Sequence, residues 1–151
     1  TDKIWQLAFT GHPGRSKTTI MLAAVNYARN QGKTAAYTTF SDMLAWLRKA
    51  FNQEDEADFD TRWQRVLAAD VLAVDELDVF NTDWSTIQVE RLIDTRWRLA
   101  CAHHSATIYA TNRLNLQFLP EKAQSRLSDI SIGRIISLTG NDQRTIEEGR
   151  L

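Results

Sequence analysis

The chain has 151 residues, of which 43% are hydrophobic and 25% are charged, and this size and mix indicate one ordinary globular domain. Its 18 Lys and Arg residues against 19 Asp and Glu residues leave a formal charge of −1, so any contact with nucleic acid needs a local basic patch. Cys101 is the one cysteine, which excludes an intrachain disulfide, and no apolar run approaches the ~20 residues of a membrane helix. We therefore expect a cytoplasmic protein with no membrane partner.

Short β-rich runs alternate with longer helical patterns, which predicts an α/β fold with a mainly parallel sheet. The five predicted strands are 4–9, 34–39, 71–74, 107–110 and 134–138. The predicted helices are 17–30, a helix capped by Ser41 whose apolar stripe runs to Phe51, 61–69, 84–102 and 120–129. Residues 52–60 are acidic and polar, and we expect them to form a solvated loop.

The segment between the first predicted strand and the first predicted helix is suited to hold phosphate groups. It consists of Gly11, His12, Pro13, Gly14, Arg15, Ser16, Lys17, Thr18 and Thr19. Backbone N–H groups at a helix start attract anions. Lys17 adds positive charge for the β- and γ-phosphates, and the Thr18 hydroxyl can bind Mg²⁺. The alternative is an ordinary glycine turn followed by a chance Lys-Thr pair. We predict a loop that binds the phosphates of a nucleotide.

One residue departs from the usual pattern of such a loop. The pattern has glycine immediately before the lysine, where this sequence has Ser16. If the backbone there needs a positive φ, serine costs about 1–2 kcal/mol of strain. The sequence therefore leaves open whether nucleotide binding or turnover is weakened.

Polar side chains follow the third and fourth predicted strands. Asp75 and Glu76 come after an unbroken apolar run, at the strand end that opens onto a ligand crevice in parallel sheets. We predict that Asp75 supports Mg²⁺, that Glu76 orients and deprotonates the attacking water, and that Asn112 hydrogen-bonds the γ-phosphate or that water. The alternative is that these side chains are ordinary polar residues of turns. The phosphate loop earlier in the chain favours the functional interpretation.

Together these segments resemble the ATPase domain of AAA+ proteins, in particular the DnaC/IstB-like family of bacterial replicative helicase loaders and transposition helper ATPases. The similarity covers nearly the whole chain and includes 92–96, 124–127 and 141–144. It implies a P-loop NTPase fold over residues 1–151, with three αβα layers, a five-stranded mainly parallel sheet and no C-terminal lid domain. Because the chain starts at Thr1 without Met and enters a strand-like run within three residues, we also expect that an upstream partner-binding region is missing.

The resemblance further implies a mechanism and partners. The domain would bind ATP and Mg²⁺, and its catalytic residues would be Lys17, Glu76 and Asn112. Arg126 would also be catalytic, as an arginine finger that reaches a neighbouring subunit's γ-phosphate. Arg144 matches a terminal family arginine of less defined role. The implied partners are a replicative DNA helicase, single-stranded DNA and further copies of the chain in a ring or spiral.

Three alternatives stay open at this point. The same ATPase core could help a transposase choose its target DNA. Ser16 leaves room for a nucleotide-dependent interaction module with weak or no hydrolysis. Arg126 could also be an ordinary exposed helix arginine.

Overall fold

Five parallel strands form the centre of the molecule. The computed structural model describes residues 3–14, 16–52, 56–78 and 81–139. Its strands are β1 (Gln6–Thr10), β2 (Ala35–Thr39), β3 (Val71–Asp75), β4 (Ala106–Ala110) and β5 (Gly133–Ser137). They form one sheet in the order β2-β3-β4-β1-β5, and every neighbouring pair is parallel. The predicted α/β class and the five-stranded sheet are confirmed.

Among the described residues, five α-helices lie between the strands, one in each connection except the second, which contains two. They are α1 (Lys17–Asn30), α2 (Phe40–Arg48), α3 (Glu56–Ala68), α4 (Asp83–Cys101) and α5 (Glu121–Leu127), and a 3-10 turn (Lys49–Asn52) follows α2. None of these described helices is long and apolar enough to cross a membrane. In the described part of the chain no separate lid domain follows β5. The predicted 141–144 segment lies outside the described residues.

The starts of α2 and α3 differ most from the sequence prediction. The cap of α2 is Thr39, whose hydroxyl accepts a hydrogen bond from the Asp42 N–H at 3.1 Å, so Ser41 is not the cap. The helix α3 begins at Glu56, so the predicted loop over 52–60 is wrong from that residue onward. Acidic residues favour the first turn of a helix, and Phe59, which was predicted to lie in the loop, packs against the core.

The fifth helix also ends earlier than predicted, because α5 stops at Leu127 rather than at residue 129. Asp129 instead organises the following turn. Its carboxylate accepts hydrogen bonds from the Ser131 hydroxyl at 2.6 Å and from the Trp97 indole at 2.9 Å. Pro120 is the residue before the first helical position of α5, not part of it.

Alternate strand residues pack on opposite faces of the sheet. Leu72, Val74 and Tyr109 belong to a core cluster that contains the inward sides of α2, α3, α4 and α5. Ala73 and Ile108 belong to a second cluster that contains the inward side of α1. This period-2 division covers both faces and produces the predicted three αβα layers.

A buried arginine joins three of these elements. Arg96 of α4 is fully buried, and its guanidinium donates to the carbonyls of Leu67, Ala69 and Ala106 and to the Thr107 hydroxyl, at 2.6–2.9 Å. Burial lowers the pKa of Arg96, but its ordinary value is so high that the group stays charged. Arg96 therefore fixes the end of α3 and the start of β4 against α4.

Candidate active site

Strand order brings the predicted motifs to one edge of the sheet. Because β4 lies between β1 and β3, the segments that follow these three strands meet at their carboxyl ends. They surround a cleft of about 580 Å³ lined by Pro13, Gly14, Ser16, Lys17, Thr18, Thr19, Asp75, Glu76 and Asn112. The structure thus brings together the lysine, the acid pair and the amide that the sequence singled out.

The phosphate loop depends on residues with positive φ. Gly11 has φ +136°, and a Cβ there would overlap the Leu138 carbonyl oxygen, so only glycine fits. Gly14 has φ +81°. Ser16 has φ 63° and ψ 17°, the left-handed conformation in which serine is strained. Arg15, predicted to be part of this loop, lies outside the described residues.

Lys17 is held beneath this loop. Its side chain is buried, and Nζ donates to the carbonyl of Gly11 at 2.6 Å and to that of His12 at 2.8 Å. Gly11 and His12 therefore position the lysine rather than line the cleft themselves. The ammonium group lies at the start of α1, where backbone N–H groups lack helical partners and favour anions.

Asp75 accepts three hydrogen bonds in the cleft. It is 4% exposed, and its Oδ2 accepts from the Thr18 hydroxyl at 2.5 Å and from the Tyr37 hydroxyl at 2.8 Å. Its Oδ1 accepts from the Glu76 N–H at 2.8 Å. Burial and the hydrogen bond to Asp75 raise the pKa of Tyr37 to about 12, so the phenol stays protonated and donates at neutral pH.

The side-chain oxygens of Thr18 and Asp75 are suitable ligands for a magnesium ion. The Thr18 hydroxyl and the Asp75 carboxylate are adjacent hard oxygen ligands of the kind that Mg²⁺ uses together with phosphate oxygens and water. In the described part of the chain, no group of three or more His, Cys, Asp or Glu side chains could hold a metal by itself. Magnesium sites of proteins commonly use only one or two carboxylates together with substrate phosphates and water.

Two further cleft residues, Glu76 and Asn112, lie on connected loops. Glu76 is exposed and has φ 52°, a strained conformation that turns the chain sharply after β3. Asp78, two residues on, accepts from the Thr111 hydroxyl and from the Asn112 N–H, both at 3.2 Å. Asp78 thereby ties the loop that carries Glu76 to the loop that carries Asn112.

Sequence reasoning missed Tyr37 and Asp78. Tyr37 ends up near Asp75 because β2 and β3 are parallel neighbours in which Thr39 is in register with Asp75. A polar aromatic residue close to the end of an adjacent strand was the available signal. For Asp78 the available signal was a third carboxylate in the segment that contains Asp75 and Glu76.

Arg126 does not lie in the cleft. Its backbone carbonyl accepts from the side chain of Gln6, the first residue of β1, whereas the phosphate loop follows the last residue of that strand. A five-residue strand spans roughly 13 Å between its end residues. Arg126 therefore lies toward the amino ends of the strands, at the edge of the sheet opposite the cleft. Its guanidinium stacks on Trp97 at 3.7 Å, and its Nε donates to Asp94 at 3.2 Å.

Asp94 is the anionic centre of this second cluster. It also pairs with Arg98 at 2.9 Å and with Lys122 at 3.6 Å. Burial acts to raise the pKa of Asp94, but the Arg126 hydrogen bond and the surrounding cations lower the pKa on balance. Asp94 and Trp97 thus hold Arg126 in a defined, half-buried position.

A parallel sheet of this strand order, with a phosphate loop after β1 and an acid pair after β3, defines a P-loop nucleotide-binding domain of the AAA+ class. The family model described as IstB-like ATP binding protein matches residues 1–115. The chain therefore belongs to the IstB-like ATP-binding protein family. No curated protein matches the chain significantly.

Solved structures share this fold at low sequence identity. DnaA bound to AMPPCP and single-stranded DNA is 18% identical with a TM-score of 0.74, over 91% of this chain and 41% of that one. Domain III of DnaA from Thermotoga maritima is 19% identical with a TM-score of 0.71, over 97% and 63%. The DnaC helicase loader is 19% identical with a TM-score of 0.69, over 91% and 80%. The chain thus spans less than half the length of the DnaA protein that it matches.

Proposed function

We propose that this domain is a magnesium-dependent ATPase. The observation that carries the proposal is the 2.5 Å hydrogen bond between Thr18 of the phosphate loop and Asp75 of the acidic strand end. That contact joins the two motifs into one site, in a cleft that Lys17, Glu76 and Asn112 also line. The family's description as ATP-binding proteins agrees with this assignment.

The cleft residues divide the work of hydrolysis. The loop N–H groups and Lys17 would bind the phosphates, and the lysine would exchange its two loop carbonyls for phosphate oxygens. Thr18 and Asp75 would hold Mg²⁺, which when bound supplies charge stabilisation to the phosphates. Glu76 would orient water and take its proton, and Asn112 would hydrogen-bond the γ-phosphate.

We further propose that hydrolysis needs a second subunit. Arg126 lies toward the sheet edge opposite the cleft, so it is unsuited to its own nucleotide and suited to a neighbour's. Such an arrangement is heterologous and generates a ring or a spiral. An arginine supplied in trans contributes about 10³–10⁵ in rate in well-studied systems.

The proposed biological role is loading a replicative helicase onto single-stranded DNA in the cytoplasm. The fold shared with the DnaC loader, and with a DnaA that binds single-stranded DNA, supports this role. The match to the IstB-like family model favours a second candidate, an ATPase that helps a transposase. Stimulation of ATP turnover by a helicase or instead by a transposase distinguishes the two roles.

The first test replaces the proposed base. We expect Glu76→Gln to lower ATP turnover by about 10²–10⁴-fold, because a positioned base contributes that much, while binding of a fluorescent ATP analogue is retained. Glu121→Gln, on an exposed residue of α5, is the control and should keep wild-type turnover. Phosphate release is measured at high protein concentration with single-stranded DNA present.

Two results would count against the enzyme. Equal turnover by wild type and Glu76→Gln would remove Glu76 from the mechanism. Tight ATP binding by the wild type without phosphate release would instead favour a nucleotide-dependent interaction module.

A further inference from the structure

The Asp75 carboxylate has an anchor outside the P-loop motifs. Tyr37 is the middle residue of β2, and its hydroxyl donates to Asp75 Oδ2 at 2.8 Å. The tyrosine ring is half-buried against the core cluster between the sheet and α1, so the hydroxyl is presented from a packed strand. It therefore holds the carboxylate without relying on the phosphate loop.

The second donor to the same oxygen is needed elsewhere when nucleotide binds. Thr18 also donates to Asp75 Oδ2, but under the proposed function its oxygen must turn toward Mg²⁺. Oδ1 keeps the Glu76 N–H as its donor. Tyr37 is then the side chain that continues to fix Oδ2.

We propose that Tyr37 is a positioning residue that orients Asp75 for magnesium binding. The inference rests on the proposed ATPase function and extends it to a strand that the P-loop motifs do not include. Without the hydroxyl, Asp75 Oδ2 would lose its fixed orientation once Thr18 engages the metal. Magnesium-dependent nucleotide binding would weaken, and metal-free binding would not.

The test is a magnesium titration of nucleotide binding. A fluorescent ATP analogue is bound to wild type, to Tyr37→Phe and to Tyr27→Phe, in EDTA and at increasing MgCl₂. Tyr27 is a matched control because it is 69% exposed on α1. We expect the magnesium midpoint of Tyr37→Phe to rise about 10–100-fold, as loss of one hydrogen bond to a charged group predicts, with binding in EDTA unchanged.

The possible results separate this inference from the proposed function. An unmoved magnesium midpoint in Tyr37→Phe, with wild-type binding intact, overturns the inference alone. Equal loss of binding with and without magnesium, or loss of the folded state in thermal melting, shows a purely structural hydroxyl and also overturns it. Failure of the wild type to bind the analogue at all overturns the proposed function.

Discussion

Ser16 shows how one side chain can carry strain without blocking the site. The structure holds it at φ 63° at the start of α1, and its hydroxyl makes no capping hydrogen bond. The strain of about 1–2 kcal/mol is therefore already present in the folded domain before any ligand binds. Strain that is equal in the free and bound states lowers stability but leaves affinity unchanged.

A glycine at this position should therefore stabilise the fold rather than tighten binding. We expect Ser16→Gly to raise the free energy of unfolding by about 0.5–1 kcal/mol, because relief of strain exceeds the extra entropy of an unfolded glycine. Urea denaturation measures the stability, and titration with a fluorescent ATP analogue measures the affinity. Ser16→Ala keeps the Cβ and should remain near wild type in both measurements.

A different outcome would change the role of Ser16. If Ser16→Gly gained manyfold in affinity or in ATP turnover, the loop would have to change conformation on binding. The serine would then limit activity, as expected for an interaction module that hydrolyses weakly.

At the scale of the secondary structure, the strands and the motifs that follow them were predictable from the sequence, whereas the first or last residues of several helices were not. The apolar run before Asp75 and the glycines after β1 are local signals, and both identified their elements. The start of α3 at Glu56 was missed because its acidic residues are typical of a loop, whereas the packing of Phe59 against the core, which favours the helix, is a tertiary effect. The contact between Tyr37 and Asp75 was missed for a similar reason, since it depends on strand neighbours.

Arg96 is the clearest case of an element held by tertiary contacts. We expect Arg96→Met to lower the free energy of unfolding by about 3 kcal/mol or more, because the buried carbonyls of Leu67, Ala69 and Ala106 would lose their donor. Chemical denaturation monitored by tryptophan fluorescence measures the change. Arg98→Met, two residues on and exposed, is the control and should cost about 0.5 kcal/mol or less. A loss for Arg96→Met no larger than the control's would contradict the anchoring role.

At the scale of the whole molecule, the sheet separates two sites that the proposed reaction needs together. The cleft lies at the carboxyl ends of β1, β3 and β4, and the cluster of Arg126, Trp97 and Asp94 lies toward the other edge. The sequence motifs include the residues that line the cleft, although Gly11 and His12 of the predicted loop do not line it, and only the fold shows that Arg126 is far from it. One subunit alone therefore holds an incomplete site under the proposed mechanism.

Subunit mixing tests this central claim most directly. Glu76→Gln and Arg126→Ala should each lose about 100-fold or more in ATP turnover when assayed alone. An equimolar mixture should regain up to about one quarter of wild-type turnover, because random neighbours restore an intact Glu76 opposite an intact Arg126. Arg98→Ala, which removes another partner of Asp94, is the control and should stay active alone. Recovery in the mixture is the result that we predict; full activity of Arg126→Ala alone, or no recovery on mixing, would contradict it.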